Sequence, residues 1–164
     1  MTIDSAKQLR DWGRSLEEAL GISVMTADDR GMMLKTKGGN LFGVAPVPGL
    51  PGLVFTGVIG VANEHTSTQT LCSLLAINLN ATLSAMGYVG LDAATREILY
   101  RLMWMPRDEG WTEQAFAAVL AAFSEHVDQL AKALANGELE KLAAVAPAGG
   151  SREQPLNPNF TNMA

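Results

Sequence analysis

Apolar and polar positions change period several times along this chain, and each change marks an element. From Ser5 to Leu20 the residues Leu9, Trp12, Leu16 and Leu20 fall on one helical stripe. Asp4 or Ser5 stands where an N-cap belongs, and Gly21 where a helix stops. The spacing predicts a short amphipathic helix. Between Ile22 and Val61 the period shortens to strand-like runs separated by turn chemistry at Asp29-Arg30-Gly31, Gly38-Gly39-Asn40 and Pro48 to Gly52. Strands are expected at Gly31 to Lys37, Leu41 to Val47 and Leu53 to Val61, with room for a short one at Ile22 to Thr26.

A second helix is expected from Ser67 to Met86, with Leu71, Leu74, Leu75, Asn78, Leu79, Thr82, Leu83 and Met86 on one broad face. The opposite face, with Cys72, Ala76, Ile77 and Ala81, is nearly as apolar. Gly87 ends this helix, and Tyr88 to Asp92 and Glu97 to Met105 read as a hairpin around Ala93-Ala94-Thr95-Arg96. After a loop at Pro106 to Gly110, Thr112 is placed to cap a third helix with Glu113 in its first turn. Phe116, Val119, Leu120, Phe123, Val127, Leu130 and Leu134 then follow at helical spacing. The order predicts an α+β domain: an antiparallel, twisted sheet of about five strands with three helices packed on it (α-β-β-β-α-β-β-α). The domain is expected to occupy residues 1–136. Residues 137–164 form a weakly helical extension and then a mobile tail, because PAGGSREQPLNPNFTNMA lacks the apolar density to fold alone.

Charge changes the picture in one place above all. No Asp, Glu, Lys or Arg occurs between Glu64 and Asp92, although Ser73, Asn78, Asn80, Thr82 and Ser84 interrupt the apolar run. A transmembrane helix needs about 20 predominantly apolar residues in succession, so membrane insertion is not expected. A helix covered on one face by its own fold and on the other by a second subunit fits better, which predicts an obligate homodimer. Asn78 within that helix either fixes register between subunits or hydrogen-bonds within its own fold. At 164 residues the chain has the size of one domain, able to bury roughly 70% of its unfolded surface. A net charge of −5 with no run of Lys or Arg excludes a nucleic-acid footprint. The single cysteine, Cys72, excludes a disulfide framework and reads as a small buried hydrophobe. The N-terminal residues lack an export signal pattern, so a cytoplasmic location is expected.

Candidate chemistry is sparse. His65 and His126 lie outside any metal or nucleophile motif and read as surface histidines. The glycines form no phosphate-cradling loop. Asp28-Asp29 and Asp108-Glu109 sit beside turn residues, as solvated loop carboxylates do. No catalytic residue, metal site or cofactor is therefore assigned, and an enzyme is not expected. Trp12, Met32, Met33 and Phe42 place large apolar groups near the sheet edge. A sheet face only partly covered by the short first helix would expose them as a patch for varied apolar anchors. The same residues could instead line the cavity of a small-molecule-binding α+β domain.

The passage LLAINLNATLSAMGYVGLDAATREILYRLMWMPRDEGWTEQAFAAVLAAFSEHVDQLAKAL resembles the class I type III secretion chaperones, the family that includes the chaperone of the intimin receptor. Asn78-Leu79-Asn80, Gly87 to Asp92, Met105-Pro106-Arg107-Asp108 and Phe116 to Leu134 occur in that family's order, over a match from about Ser5 to Asn136. The connection at Pro46 to Gly52 and the tail after Gly137 depart from it. The resemblance implies a non-enzymatic homodimer of the bacterial cytoplasm. Such a dimer binds the N-terminal segment of secreted effectors and keeps it extended, soluble and export-competent. It also allows contact with the secretion-system ATPase. Family dimerisation maps onto Leu71, Leu74, Leu75, Asn78, Leu79, Thr82, Tyr88, Val89 and Leu91. Candidate effector-anchor residues are Leu9, Trp12, Leu16, Met32, Leu34, Phe42 and Val44.

Overall fold

The computed structural model describes residues 4–20, 23–28 and 30–141, with the backbone alone for 14–20, 23–28, Thr82 and Asp108. Helix α1 spans Ser5–Leu20 and begins where Asp4 accepts a 3.0 Å hydrogen bond from the Lys7 N–H. Four strands follow as a meander: β1 (Ser23–Asp28), β2 (Gly31–Lys35), β3 (Leu41–Pro46) and β4 (Leu53–Val61). Helix α2 (Thr68–Asn78) and the single turn α3 (Ala81–Ser84) cross to the far edge, where β5 (Tyr88–Leu91) and β6 (Glu97–Trp104) form a hairpin. Helix α4 (Glu113–Ala135) returns over the sheet, capped by Thr112, whose hydroxyl accepts from the Ala115 N–H at 3.1 Å.

All strand pairs are antiparallel, and the sheet order is β1-β2-β3-β4-β6-β5. The α+β class predicted from the periodicity is the one observed. The sheet has six strands where about five were expected, because the optional segment after Ile22 pairs along β2 as a full edge strand. The expected second helix is also shorter than Ser67 to Met86. It stops at Asn78, and Asn80 restarts the chain by accepting from the Leu83 N–H at 3.1 Å. Ala85 and Met86 then take positive φ values of 46° and 69°, which no helix continues through.

One face of the sheet carries the core. Leu9 and Trp12 of α1 and Phe116, Leu120, Phe123, Val127 and Leu130 of α4 pack on Met32, Leu34, Phe42, Val44, Leu53, Phe55, Ile59, Ile98 and Tyr100. Phe123 is the hub, with ring centroids 5.2 to 5.6 Å from Tyr100, Phe55 and Phe42. A Cβ on Gly57 would come within 2.5 Å of Val127, so glycine there is what lets α4 settle onto β4. Beyond α4, Leu139 is buried as well. Residues 142–164 lie outside the described residues, and the expectation for the tail lies there with them.

Two polar clasps fix elements that hydrophobic burial alone would leave free to slide. Asp128 on α4 accepts from Thr36 Oγ1, Asn40 Nδ2 and the Gly38 N–H, holding the β2–β3 turn. Burial pushes its carboxyl up, but these three hydrogen bonds outweigh that effect and hold it below the ordinary carboxylate value. Asn78 is the second clasp. Its Nδ2 donates to the Val89 carbonyl at 2.9 Å, and its Oδ1 accepts from the Val89 N–H at 2.6 Å.

Candidate functional site

Helix α2 stands against β5 and buries only Ser73, Leu74 and Ile77. Its remaining apolar residues face outward. Leu71 is 36% exposed, Leu75 63% and Leu79 91%, and Met86 and Leu91 are exposed as well. This flank lies wholly inside the charge-free window, so nothing in it repels a second apolar surface.

Of the dimer residues expected from the sequence, Leu71, Leu75, Leu79 and Leu91 are exposed, and so is Tyr88, which its pairing with Arg101 puts on the other face of the sheet. Leu74 and Val89 belong to the core. Asn78 is half-buried and fully engaged with the Val89 backbone, so its hydrogen bonds are those of its own fold. The side chain of Thr82 lies outside the described residues. Cys72, expected to be buried, is exposed, because α2 turns that side away from the sheet.

The residues expected to form an anchor patch are placed differently. Leu9, Trp12, Met32, Leu34, Phe42 and Val44 are all buried, and the side chain of Leu16 lies outside the described residues. They form the core rather than an open patch. The short α1 does not work alone: α4 covers the same face, and Trp12 stacks on Trp111 and Phe116 with centroids 5.9 and 5.2 Å apart.

The opposite face of the sheet bears the alternate residues of the same strands, and no helix lies on them among the described residues. Met33 and Met103 are 41% and 52% exposed there, beside Gly43, Ala45, Val54, Thr56 and Arg101. Met33, Gly43, Ala45, Val54, Thr56 and Arg101 line an open groove of about 380 Å³ that reaches Arg30 at the β1–β2 turn. Sequence reasoning named Met33 but not its neighbours. Strand alternation was the signal that could have found them.

The histidines divide. His65 is exposed, as expected. His126 is instead half-buried, with its ring centroid 4.8 Å from that of Tyr100 and its Nε2 buried without a hydrogen-bond partner. Burial lowers its pKa, and a hydrogen bond with the Leu83 backbone opposes that shift only in part. Tyr100 donates to the Ser84 carbonyl at 2.6 Å, and burial raises its pKa to about 12 against a smaller opposing effect of the Gly87 backbone. Both rings thus tie α4 and β6 to the segment between α2 and β5. Among the described residues no cluster of three His, Cys, Asp or Glu side chains could hold a metal ion, and no helix is long and apolar enough to cross a membrane.

No protein-family model and no curated protein matches the sequence. Solved structures do match the fold. A chain of the HopA1–SchA chaperone–effector complex superposes with a TM-score of 0.57 at 15% identity, covering 80% of this chain and 99% of that one. A chain of the heterodimeric ExoU–SpcU complex from the type III secretion system of Pseudomonas aeruginosa gives a TM-score of 0.52 at 14% identity, covering 79% and 96%. The chain therefore has the α+β fold found in these two complexes.

Proposed function

We propose that the protein is a type III secretion chaperone of the bacterial cytoplasm. It acts without catalysis, as a homodimer that holds an N-terminal segment of one or more effectors extended, soluble and ready for export. The observation that carries this reading is the apolar flank from Leu71 to Leu91, left uncovered among the described residues on a fold shared with a chain of a chaperone–effector complex and a chain of a type III secretion system complex. Leu75 and Leu79 are large aliphatic residues with no partner surface in the monomer, and a second copy brings the same residues to meet them. Such an isologous contact leaves the helix-free face of each sheet available to a client. The edge strands β1 and β5 offer backbone pairing of the kind used in β-augmentation. Ordering a disordered client segment costs about 2–5 kcal/mol or more, which calls for a long, distributed contact and keeps the complex releasable.

The test is capture of the tagged full chain from cells in which a type III secretion system is active, followed by native mass measurement and limited proteolysis. Two copies of the chain with one larger protein, protected only near that protein's N-terminus, are expected. A monomer that recovers no such protein from secreting cells would overturn the reading.

A further inference from the structure

Residue register sets one row straight across the helix-free face: Met33 opposite Gly43, Gly43 opposite Thr56, Thr56 opposite Arg101, and Arg101 opposite Tyr88. The neighbouring row pairs Ala45 with Val54 and Val54 with Met103. This surface is apolar or small almost everywhere, and Arg101 is set into the middle of it. Arg101 is half-buried, and its Nε donates a 3.2 Å hydrogen bond to Thr56 Oγ1. Among the described residues no carboxylate pairs with it, and it lines the groove. At the groove's other end the lining includes a second cation, Arg30. Gly43 keeps the floor low, since a Cβ there would sit 3.1 Å from Met33 Sδ.

The geometry points to a client segment of stated chemistry in this groove: an apolar peptide face carrying one Asp or Glu that pairs with Arg101, flanked by small aliphatic residues over Gly43, Ala45 and Val54. A planar guanidinium among apolar walls favours a carboxylate held by two parallel hydrogen bonds. A second copy of this chain is a poorer source of that carboxylate. Its proposed contact surface lies between Glu64 and Asp92, where it has no acidic residue to give. Charge complementarity therefore assigns the groove to the client and the α2–β5 flank to the partner subunit. Of these, the client assignment deepens the chaperone reading and rests on it.

The test selects random 20-residue display peptides on the full-length protein and measures each winner against the wild type, Arg101→Gln and Arg101→Lys. Winners are expected to carry an acidic residue within an apolar stretch. They should lose about tenfold in affinity with Arg101→Gln, and lose the same factor when their own Glu is changed to Gln, the two changes together costing no more than either alone. Arg101→Lys, which keeps the charge but loses the two-pronged donor, should restore only part of the affinity that Arg101→Gln removes. Gly43→Val, which fills the floor without touching Arg101, should weaken the same peptides. Winners without an acidic residue, winners indifferent to Arg101→Gln, or no winners at all would overturn the assignment. Acid-dependent winners from a protein that captures no secreted client would leave the groove standing and remove the secretion role instead.

Discussion

Helices α2 and α4 are both rich in apolar residues, yet only α4 buries them in its own domain. Phe116, Leu120, Phe123, Val127, Leu130 and Ala133 of α4 all face the sheet or the core around it. Helix α2 gives the core Leu74 and Ile77 and leaves Leu71, Leu75 and, just past its end, Leu79 in the open. The difference lies in the sequence of the other face. Helix α4 carries Glu113, Glu125, Asp128, Gln129 and Lys132 between its apolar positions, whereas α2 carries no charge. A helix with a solvated face is finished by one sheet, and a helix without one needs a second surface.

The contrast can be broken first at the hub. Phe123→Ala should cost about 3–5 kcal/mol in urea unfolding, because three aromatic neighbours lose their common contact. A cost below roughly 1 kcal/mol, closer to that of a surface change, would mean that α4 is not the main cover of the sheet. Next comes the open flank. The pair Leu75→Asp and Leu79→Asp should weaken dimerisation by at least ~2 kcal/mol in sedimentation equilibrium, while the circular dichroism of the monomer stays unchanged. A dimer of undiminished strength would place the subunit contact elsewhere.

Asn78→Ala sharpens the comparison at the point where α2 is tied to the sheet. Losing both hydrogen bonds to Val89 should lower stability by about 1–3 kcal/mol, and it should do so in the monomeric Asp variants as well. If the loss vanished in the monomer, Asn78 would be acting across the dimer after all. The smallest effect expected is a pH slope from His126, which links α4 to the segment after α2. Its folded pKa is lowered from 6.5, chiefly by burial, so the unfolded chain binds the proton more readily. Stability from this group is complete above pH 6.5 and declines as pH falls from there toward the folded pKa. Thermal melts from pH 7.5 to 5 should show the decline in the wild type and a shallower one in His126→Phe.

Much of this architecture was legible in the sequence because it is written at short range. The Thr112 cap, the strand Leu53–Val61 and the third helix needed only local spacing and turn chemistry. Three features were not legible for the same reason. The helix expected to run to Met86 breaks because Asn78 and Asn80 find backbone partners, one of them 11 residues away. Trp12 and Phe42 looked like a binding patch because nothing local reveals that a helix beginning at Glu113 will cover them. Arg101 carries no local signal, since its hydrogen-bond partner Thr56 lies 45 residues away.

The sequence by itself determined the elements, their order, the α+β class and the presence of an uncharged segment that water alone would not cover. These follow from periodicity and charge, which act between residues a few positions apart. Only the tertiary structure decided which apolar residues are core and which are surface. It also decided that Asn78 serves its own fold and that the Arg101 guanidinium stands among small and apolar residues of a groove. Those outcomes depend on which face α4 takes and on strand register, and both are set by contacts between parts of the chain that no local pattern connects.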